Sequence, residues 1–350
     1  MSKKRWLLVA LALVSILSLI IISCNEEPSV STISRETIST SNHIAVVYQH
    51  NFSSTYLLDK LKFQGSIFDR NGAKNLYWNS CFVWKGNLYL VYNYGDSKKH
   101  PAATNVGIAK WNNINGKFDI LKEPIITATP GTWYSVWIEA HSSLVTSDKA
   151  LLYCCGQTTG GNSGSTLRIG IFESKDLLNW KESLGNPIID APNADPVICK
   201  CGKGYRLYVV NYTTPNQVTD VWIGQDEYTF TKEKSTVIPL GAVGTWNEKM
   251  TLIEAIYPTL GGYEALVQGR DASGYIREGV FYSDDGLNFY GHPKNPLYEP
   301  PEKIRGHGDI AFFKNKLWFL TTCDEKNYPK SHYQVYLYTA DLPPIMELEK

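Results

Sequence analysis

The 350-residue sequence predicts an all-β protein, a five-bladed β-propeller whose N-terminal segment closes the last blade. Three observations predict it. The chain holds 10 Trp, 22 Tyr, 27 Gly and 17 Pro, a usage that suits many short strands joined by tight turns. An apolar strand after a short Lys/Gly/Asn turn recurs five times, at a loose period of roughly fifty to sixty-odd residues. A second apolar run follows each of them, so every repeat reads as a hairpin with room for a strand on either side. With 43% hydrophobic side chains and 34 basic against 34 acidic residues, the chain can bury a sizeable core and is too neutral for a polyanion binder. Collagen, coiled coil and wholesale disorder are excluded, and carbohydrate suits this composition better than nucleic acid.

Lys3-Lys4-Arg5 precede an apolar run from Trp6 to Ile22, broken only by serines, and Ser23-Cys24 follow. These are the basic, hydrophobic and small-residue parts of an export signal. Ile21-Ile22-Ser23-Cys24 resembles a bacterial lipobox, in which the cysteine is lipidated on its sulfur and becomes the new N-terminus; an uncleaved anchor or a plain secretory signal are the alternatives. Residues 1–23 are therefore read as a lipoprotein signal peptide, with Cys24 as the lipidation site. Residues 24–42 form a flexible, Ser/Thr-rich tether, and residues 43–350 the propeller. Cleavage removes three basic residues, taking Lys+Arg from 34 to 31 and the net charge from zero to −3. The expectation is a monomer attached to the outer membrane, on its periplasmic or surface side, touching the bilayer only through its acyl chains.

The first strand of each hairpin is Leu88-Tyr89-Leu90-Val91-Tyr92, Leu151-Leu152-Tyr153, Leu207-Tyr208-Val209-Val210, Ala265-Leu266-Val267 and Leu317-Trp318-Phe319-Leu320. Its partners begin at Val106, Ile169, Val221, Gly279 and Val335. Four repeats continue to an outer segment carrying an aromatic and a proline: Phe118 with Pro124, Trp180 with Pro187, Phe230 with Pro239, and Phe289 with Pro296. The fifth runs out of chain at Pro343-Pro344. Its missing outer strand is found near the start, where Asp59-Lys60-Leu61-Lys62-Phe63 echoes Asp176-Leu177-Leu178-Asn179-Trp180. A four-stranded unit leaves an exposed edge and half-buried faces, and radial stacking with shared closure removes both problems. Ser174-Lys175-Asp176 and Ser283-Asp284-Asp285-Gly286 sit at the turn before the outer segment, where Ser and Asp can bond their own backbone.

Beyond Cys24 the cysteines are Cys81, Cys154, Cys155, Cys199, Cys201 and Cys323. An adjacent pair and a Cys-Lys-Cys triplet match no common zinc spacing. They read as small buried hydrophobes, with one long-range disulfide as the alternative. Gly160-Gly161-Asn162-Ser163-Gly164 lies in a strand connection rather than before a helix, so no phosphate loop is present.

In a propeller the innermost strands converge on one end of a central channel. Those strands precede each apolar hairpin and contain Trp78-Asn79-Ser80-Cys81, Trp137-Ile138-Glu139-Ala140-His141, Asn193-Ala194-Asp195-Pro196, Leu252-Ile253-Glu254-Ala255 and Arg305-Gly306-His307-Gly308-Asp309. Four of the five carry an acid, which packing does not require, and charged groups there must be paired or solvated by a pocket. Glu139 and His141 are two apart and share one strand face, an arrangement that can orient an imidazole, hold a metal or form a structural hydrogen bond. Glu254 is flanked by Ile253 and Ile256, a dry setting that raises a carboxyl pKa and suits a general acid; pairing with Arg270 or Arg277 is the structural alternative. Trp78, Trp133 and Trp137 can stack on a sugar face or pack between blades.

This order of motifs resembles the five-bladed propeller glycoside hydrolases of family 43 and its relatives in families 32 and 117, over about Tyr56 to Leu342. Ala194-Asp195-Pro196 looks like the third-blade acid that tunes pKa and orients substrate. Leu252-Ile253-Glu254-Ala255 followed by Gly261-Gly262-Tyr263 looks like the general-acid motif, and Gly306-His307-Gly308 like the histidine beneath the sugar. The resemblance implies inverting hydrolysis of a glycoside, with a protonated acid and a base carboxylate about 6.5–9.5 Å apart. It departs in blade one, where Asn79-Ser80 stand in place of the base aspartate. Asp69, Glu139 or His141 are the replacements open to the sequence, and lost activity in a glycan-binding propeller is the competing reading. The catalytic candidates are thus Glu254, Asp195, Glu139 and Asp69, and the substrate-binding candidates His307, His141, Trp78, Asp309 and Trp137. No cofactor is expected, although a structural Ca2+ in the central channel is compatible with the pattern.

Overall fold

The computed structural model describes residues 57–68, 76–95, 104–159, 164–259, 262–297, 308–325 and 332–342. Within them the chain is all-β, with two 3-10 turns and no α-helix. The strands fall into five successive four-stranded units. The first is β2 (Leu76–Trp84), β3 (Asn87–Tyr94), β4 (Asn105–Asn112) and β5 (Lys117–Thr127); the second is β6 (Trp137–Val145), β7 (Ala150–Gln157), β8 (Leu167–Ser174) and β9 (Lys181–Glu182). The third is β10 (Asn193–Cys201), β11 (Gly204–Asn211), β12 (Gln217–Gly224) and β13 (Thr231–Lys234), and the fourth β14 (Met250–Thr259), β15 (Gly262–Arg270), β16 (Ile276–Ser283) and β17 (Tyr290–Gly291). A short parallel pairing of Gln217 with Met250 and Val218 with Thr251 joins these two into one eight-stranded sheet. The last unit combines β18 (Gly308–Phe313), β19 (Lys316–Glu325) and β20 (His332–Asp341) with β1 (Lys62–Phe68) from the other end of the chain. Lys62 pairs with Thr339 and Phe68 with Val335.

The second strand of each unit is buried on both faces, which explains its unbroken apolar run. In β7, Ala150, Leu152 and Cys154 pack toward the first unit, while Leu151, Tyr153 and Cys155 pack toward the third. Five hydrophobic layers arise in this way, one between each pair of successive units and a fifth between the last unit and the first. The first strands follow the same cycle: β2 lies against β6, β6 against β10, β10 against β14, β14 against β18, and β18 against β2.

Single polar side chains bind the first strand of one unit to the unit before it or after it. Asn93 donates to the Ala140 carbonyl at 2.9 Å and accepts the Ala140 N–H at 2.8 Å. Ser142 likewise spans the Pro196 carbonyl and the Ile198 N–H, and Thr219 the Thr251 carbonyl and the Ile253 N–H. Each satisfies one donor and one acceptor that the strand leaves unpaired toward its neighbour.

The outer segments depart from expectation, because β9, β13 and β17 are only two to four residues long. In the second and fourth units the cause is visible at the Asn-Pro steps. The Asn186 carboxamide accepts the Ile171 N–H and donates to the Ile171 carbonyl, and Asn295 does the same for Val280. A side-chain amide replaces the backbone partner, so the outer chain need not remain a strand. The Ser/Asp turns behave as the sequence suggests: Asp176 accepts the Leu178 and Asn179 N–H groups and Asp285 those of Leu287 and Asn288. Cys81, Cys154, Cys155, Cys199 and Cys201 are free thiols, all buried except the half-buried Cys201.

Candidate active site

The first strands position the candidate residues through β-bulges. The pairing register slips between Leu76 and Asn79 in β2, Ala140 and Ser142 in β6, Ala194 and Val197 in β10, and Ile253 and Ala255 in β14. The extra residues are Tyr77-Trp78, His141, Asp195-Pro196 and Glu254. A bulge re-aims a side chain out of the strand alternation, and here it does so at the point where the sequence concentrates polar groups. Asp195 also adopts φ 51°, a left-handed conformation that a non-glycine residue holds only when its surroundings impose it.

Three of the candidates meet. His141 Nε2 lies 3.5 Å from Glu139 Oε2 and 3.6 Å from Asp195 Oδ1, so an imidazole bridges carboxyl groups from two units. All three side chains are buried. Burial lowers the His141 pKa to about 3 and leaves the ring neutral. Burial raises Asp195 to about 7. It also lifts Glu139 well above the usual carboxyl range, with the Asp195 charge adding to the rise and the Trp137 indole partly opposing it.

Glu254 is drawn into the same group from the fourth unit. Its Oε1 accepts a 2.8 Å hydrogen bond from Gln268 of β15. Burial raises its pKa well above normal, reinforced by the charge of Glu278 and a hydrogen bond with it, and then by Asp195. Glu278 on β16 is itself raised to about 7 by burial. The arginines that offered a structural alternative are engaged elsewhere, Arg270 with Gln217 and Arg277 with Asp271.

Asp309 belongs to the fifth unit and lies against the first. Its Oδ2 accepts Ser80 Oγ at 2.8 Å and the Cys81 N–H at 3.1 Å, and its Oδ1 the Ile310 N–H at 2.8 Å. The carboxyl thus lies against the first-unit strand that lacks an acid of its own, and burial moves its pKa up to about 7. Asn79 is turned aside, donating to Thr322 Oγ1 at 2.8 Å.

The other candidates divide. Trp137 is half-buried at the start of β6, beside Glu139. Trp133 is a packing residue: its ring lies where a Cβ on Gly156 or Gly170 would sit, and its Nε1 donates to Glu182 at 2.6 Å. Trp78 lies on β2 with its side chain outside the described atoms, and Cys24, Asp69 and His307 lie outside the described residues. Among the described residues no three of His, Cys, Asp and Glu are disposed around a metal-sized centre.

Sequence reasoning missed Glu278, Gln268 and Tyr212. The first two sit on second and third strands, where only strand pairing (Gln268 opposite Glu278) brings them to Glu254. Tyr212 follows β11, and its phenol is pushed well above normal by burial and by Asp195, Cys155 and Glu139. One signal was available: Gly131-Thr132-Trp133 before Ile138-Glu139-Ala140 repeats as Gly244-Thr245-Trp246 before Ile253-Glu254-Ala255. That repetition marks the second and fourth units as counterparts, each with its tryptophan against glycines of its own sheet.

No family model matches the chain, and no curated protein matches it. Solved structures share its fold. One belongs to the GH130 family of mannoside phosphorylases, described as containing glycoside hydrolases that target β-1,2 mannosidic linkages in Candida mannan. It is similar with a TM-score of 0.63 at 12% identity, over 84% of this chain and 96% of its own. A glycosyl hydrolase from Bacteroides ovatus aligns with a TM-score of 0.60 at 12% identity, over 85% and 94%. A thermostable family-43 glycoside hydrolase aligns with a TM-score of 0.58 at 13% identity, over 77% and 91%. The structural neighbours are thus glycoside hydrolases, and the likeness is one of fold.

Proposed function

We propose that this chain is a glycoside hydrolase on a five-bladed β-propeller that cleaves a glycosidic bond by inverting acid–base hydrolysis. The propeller reading is supported by the closed cycle of first strands and the five inter-unit layers. The observation that carries the functional reading is the convergence of buried carboxyl groups from separate units, Glu139 and Asp195 about one imidazole and Asp195 in electrostatic reach of Glu254. Grouping acids in a dry site costs stability and is characteristic of chemistry.

Glu254 is the general acid, since burial and the charge of Glu278 favour its protonated form. Asp195 tunes that acidity. Asp309 is the base: a carboxyl with a pKa of about 7 is substantially ionised at neutral pH and takes the place of the missing first-blade aspartate. Water attacks the anomeric carbon and passes a proton to Asp309, while Glu254 gives its proton to the departing oxygen and the bond to that oxygen breaks. Glu139 and neutral His141 hydrogen-bond the sugar, with Trp137 and Tyr212 at its faces. Asp69 and His307 retain the roles the sequence suggests, as alternative base and channel floor. We also propose attachment to the outer membrane through lipidated Cys24, tested by incorporation of labelled palmitate into the wild type and its absence in Cys24→Ala.

A second reading, a non-catalytic glycan-binding propeller, is favoured by the lack of an acid on β2 and by the three hydrogen bonds that already engage Asp309. Incubation with a panel of oligosaccharides in 18O-water, followed by NMR and mass spectrometry, separates the two. Release of a reducing sugar of inverted anomeric configuration, carrying one 18O, supports hydrolysis. Saccharide binding with no product after prolonged incubation supports the second reading, and absence of binding defeats both.

A further inference from the structure

At the far end of β10 from Asp195 lies a cluster of different chemistry. Cys199 and Cys201 are two apart on one strand and project from the same face, with sulfur atoms 3.8 Å apart. Cys199 is buried, whereas Cys201 is half-buried and reaches solvent where the strand turns at Gly202. Arg206 stands opposite Cys199 in the pairing with β11, and its guanidinium lies 4.9 Å over the Tyr263 ring. Arg206 Nη1 is buried without a hydrogen-bond partner, a cation held where thiolate charge would be welcome. A thiol against a second thiol and a cation is the setting in which cysteine becomes nucleophilic.

We propose that Cys201 and Cys199 form a thiol–disulfide exchange site, Cys201 as the attacking thiolate and Cys199 as the resolving thiol, with a small disulfide such as oxidised glutathione as co-reactant. Cys201 attacks one sulfur of the disulfide, whose S–S bond breaks to release one thiolate and leave a mixed disulfide on Cys201. Cys199 loses its proton to solvent and attacks the Cys201 sulfur, releasing the second thiolate and closing a Cys199–Cys201 bond. The two protein thiols are oxidised and the disulfide is reduced to two thiols. The groups facing Cys201 are Cys199, Arg206, Tyr208 and Tyr263. Hydrogen bonding from Cys199, then from Tyr263, together with the Arg206 charge, lowers its pKa to about 7 against burial, while the hydrogen bond to Cys201, and then burial, push Cys199 well up. The strand rise of about 3.3 Å per residue puts Cys199 roughly 13 Å from Asp195, so the site is separate from the carboxyl cluster.

Lys200 between the two cysteines makes the test direct. The reduced full-length protein is incubated with oxidised glutathione, quenched with iodoacetamide and digested with trypsin, which cuts after Lys200. The expected result is a peptide ending at Lys200 joined to Cys201-Gly202-Lys203 and separated by reductant. In Cys199→Ala the glutathione should remain on Cys201, and the pH at which Cys201 is half-alkylated should rise from near 7 toward that of an ordinary thiol. Full alkylation of both cysteines with no joined peptide, or an unchanged alkylation profile in Cys199→Ala, would overturn the proposal.

Discussion

His141 and Asp195 belong to different units, yet His141 Nε2 lies 3.6 Å from Asp195 Oδ1, with Glu139 Oε2 at 3.5 Å on the same nitrogen. The imidazole is neutral because burial lowers its pKa to about 3. A depressed histidine is protonated in the unfolded chain before it is protonated in the folded one. It therefore costs stability increasingly as pH falls from about 6.5 toward 3, by at most about 1.4 kcal/mol per pH unit. His141→Asn removes that proton uptake. Thermal unfolding between pH 7 and pH 4 should show the variant less stable at pH 7, with the gap narrowing as pH falls. A gap independent of pH would mean that the ring is not held neutral.

Asp195 raises the Glu254 pKa through its charge, and Asp195→Asn removes the charge with little change of shape. The protonated form of Glu254 should then be lost at lower pH, moving the alkaline limb of the kcat/KM profile downward. The profile on any glycoside that the wild type turns over provides the check.

Glu264 on β15 ties down the start of the described chain. Its carboxylate accepts the Leu57 and Leu58 N–H groups and, at 2.5 Å, the Tyr257 hydroxyl, all in a buried setting. These bonds hold the 3-10 turn Leu58–Lys60 against the fourth unit, just before β1 completes the fifth. Glu264→Ala should destabilise the protein by about 3 kcal/mol, since charge-assisted bonds are lost and buried donors are left unmet. Urea unfolding measures this.

Trp133 and Trp246 occupy equivalent wedges, against Gly156 and Gly170 in one sheet and against Gly269 and Gly279 in the other. A Cβ on Gly170 would collide with the Trp133 ring, which is also held through Glu182. Gly170→Ala should cost about 1–3 kcal/mol by overpacking. Gly116 has open space around it but φ 67°, so Asn, which tolerates the left-handed region, should cost less there than Gly170→Ala, as paired denaturation curves would show.

The sequence made the strands legible because each second strand is buried on both faces and each Ser/Asp turn bonds itself. It also placed Glu139, Asp195, Glu254 and Asp309 on first strands. The bulges were not legible, since a register slip at His141 or Glu254 exists only relative to a partner strand. For the same reason Glu278 and Gln268 escaped notice: cross-strand pairing, not spacing along the chain, brings them to Glu254. The short outer strands of the second and fourth units were hidden because Asn186 and Asn295 substitute side-chain amides for backbone pairing, which residue type alone does not reveal.

The role of Glu254 as proton donor to the leaving oxygen is tested most directly by comparing Glu254→Gln with wild type on two substrates sharing one sugar. One carries an alkyl or sugar leaving group, the other a dinitrophenyl group that needs no protonation. A general acid at Glu254 requires a loss in kcat of at least about a hundredfold on the first, a much smaller loss on the second, and unchanged unfolding. Equal losses on both substrates, or full activity on the first, would contradict it.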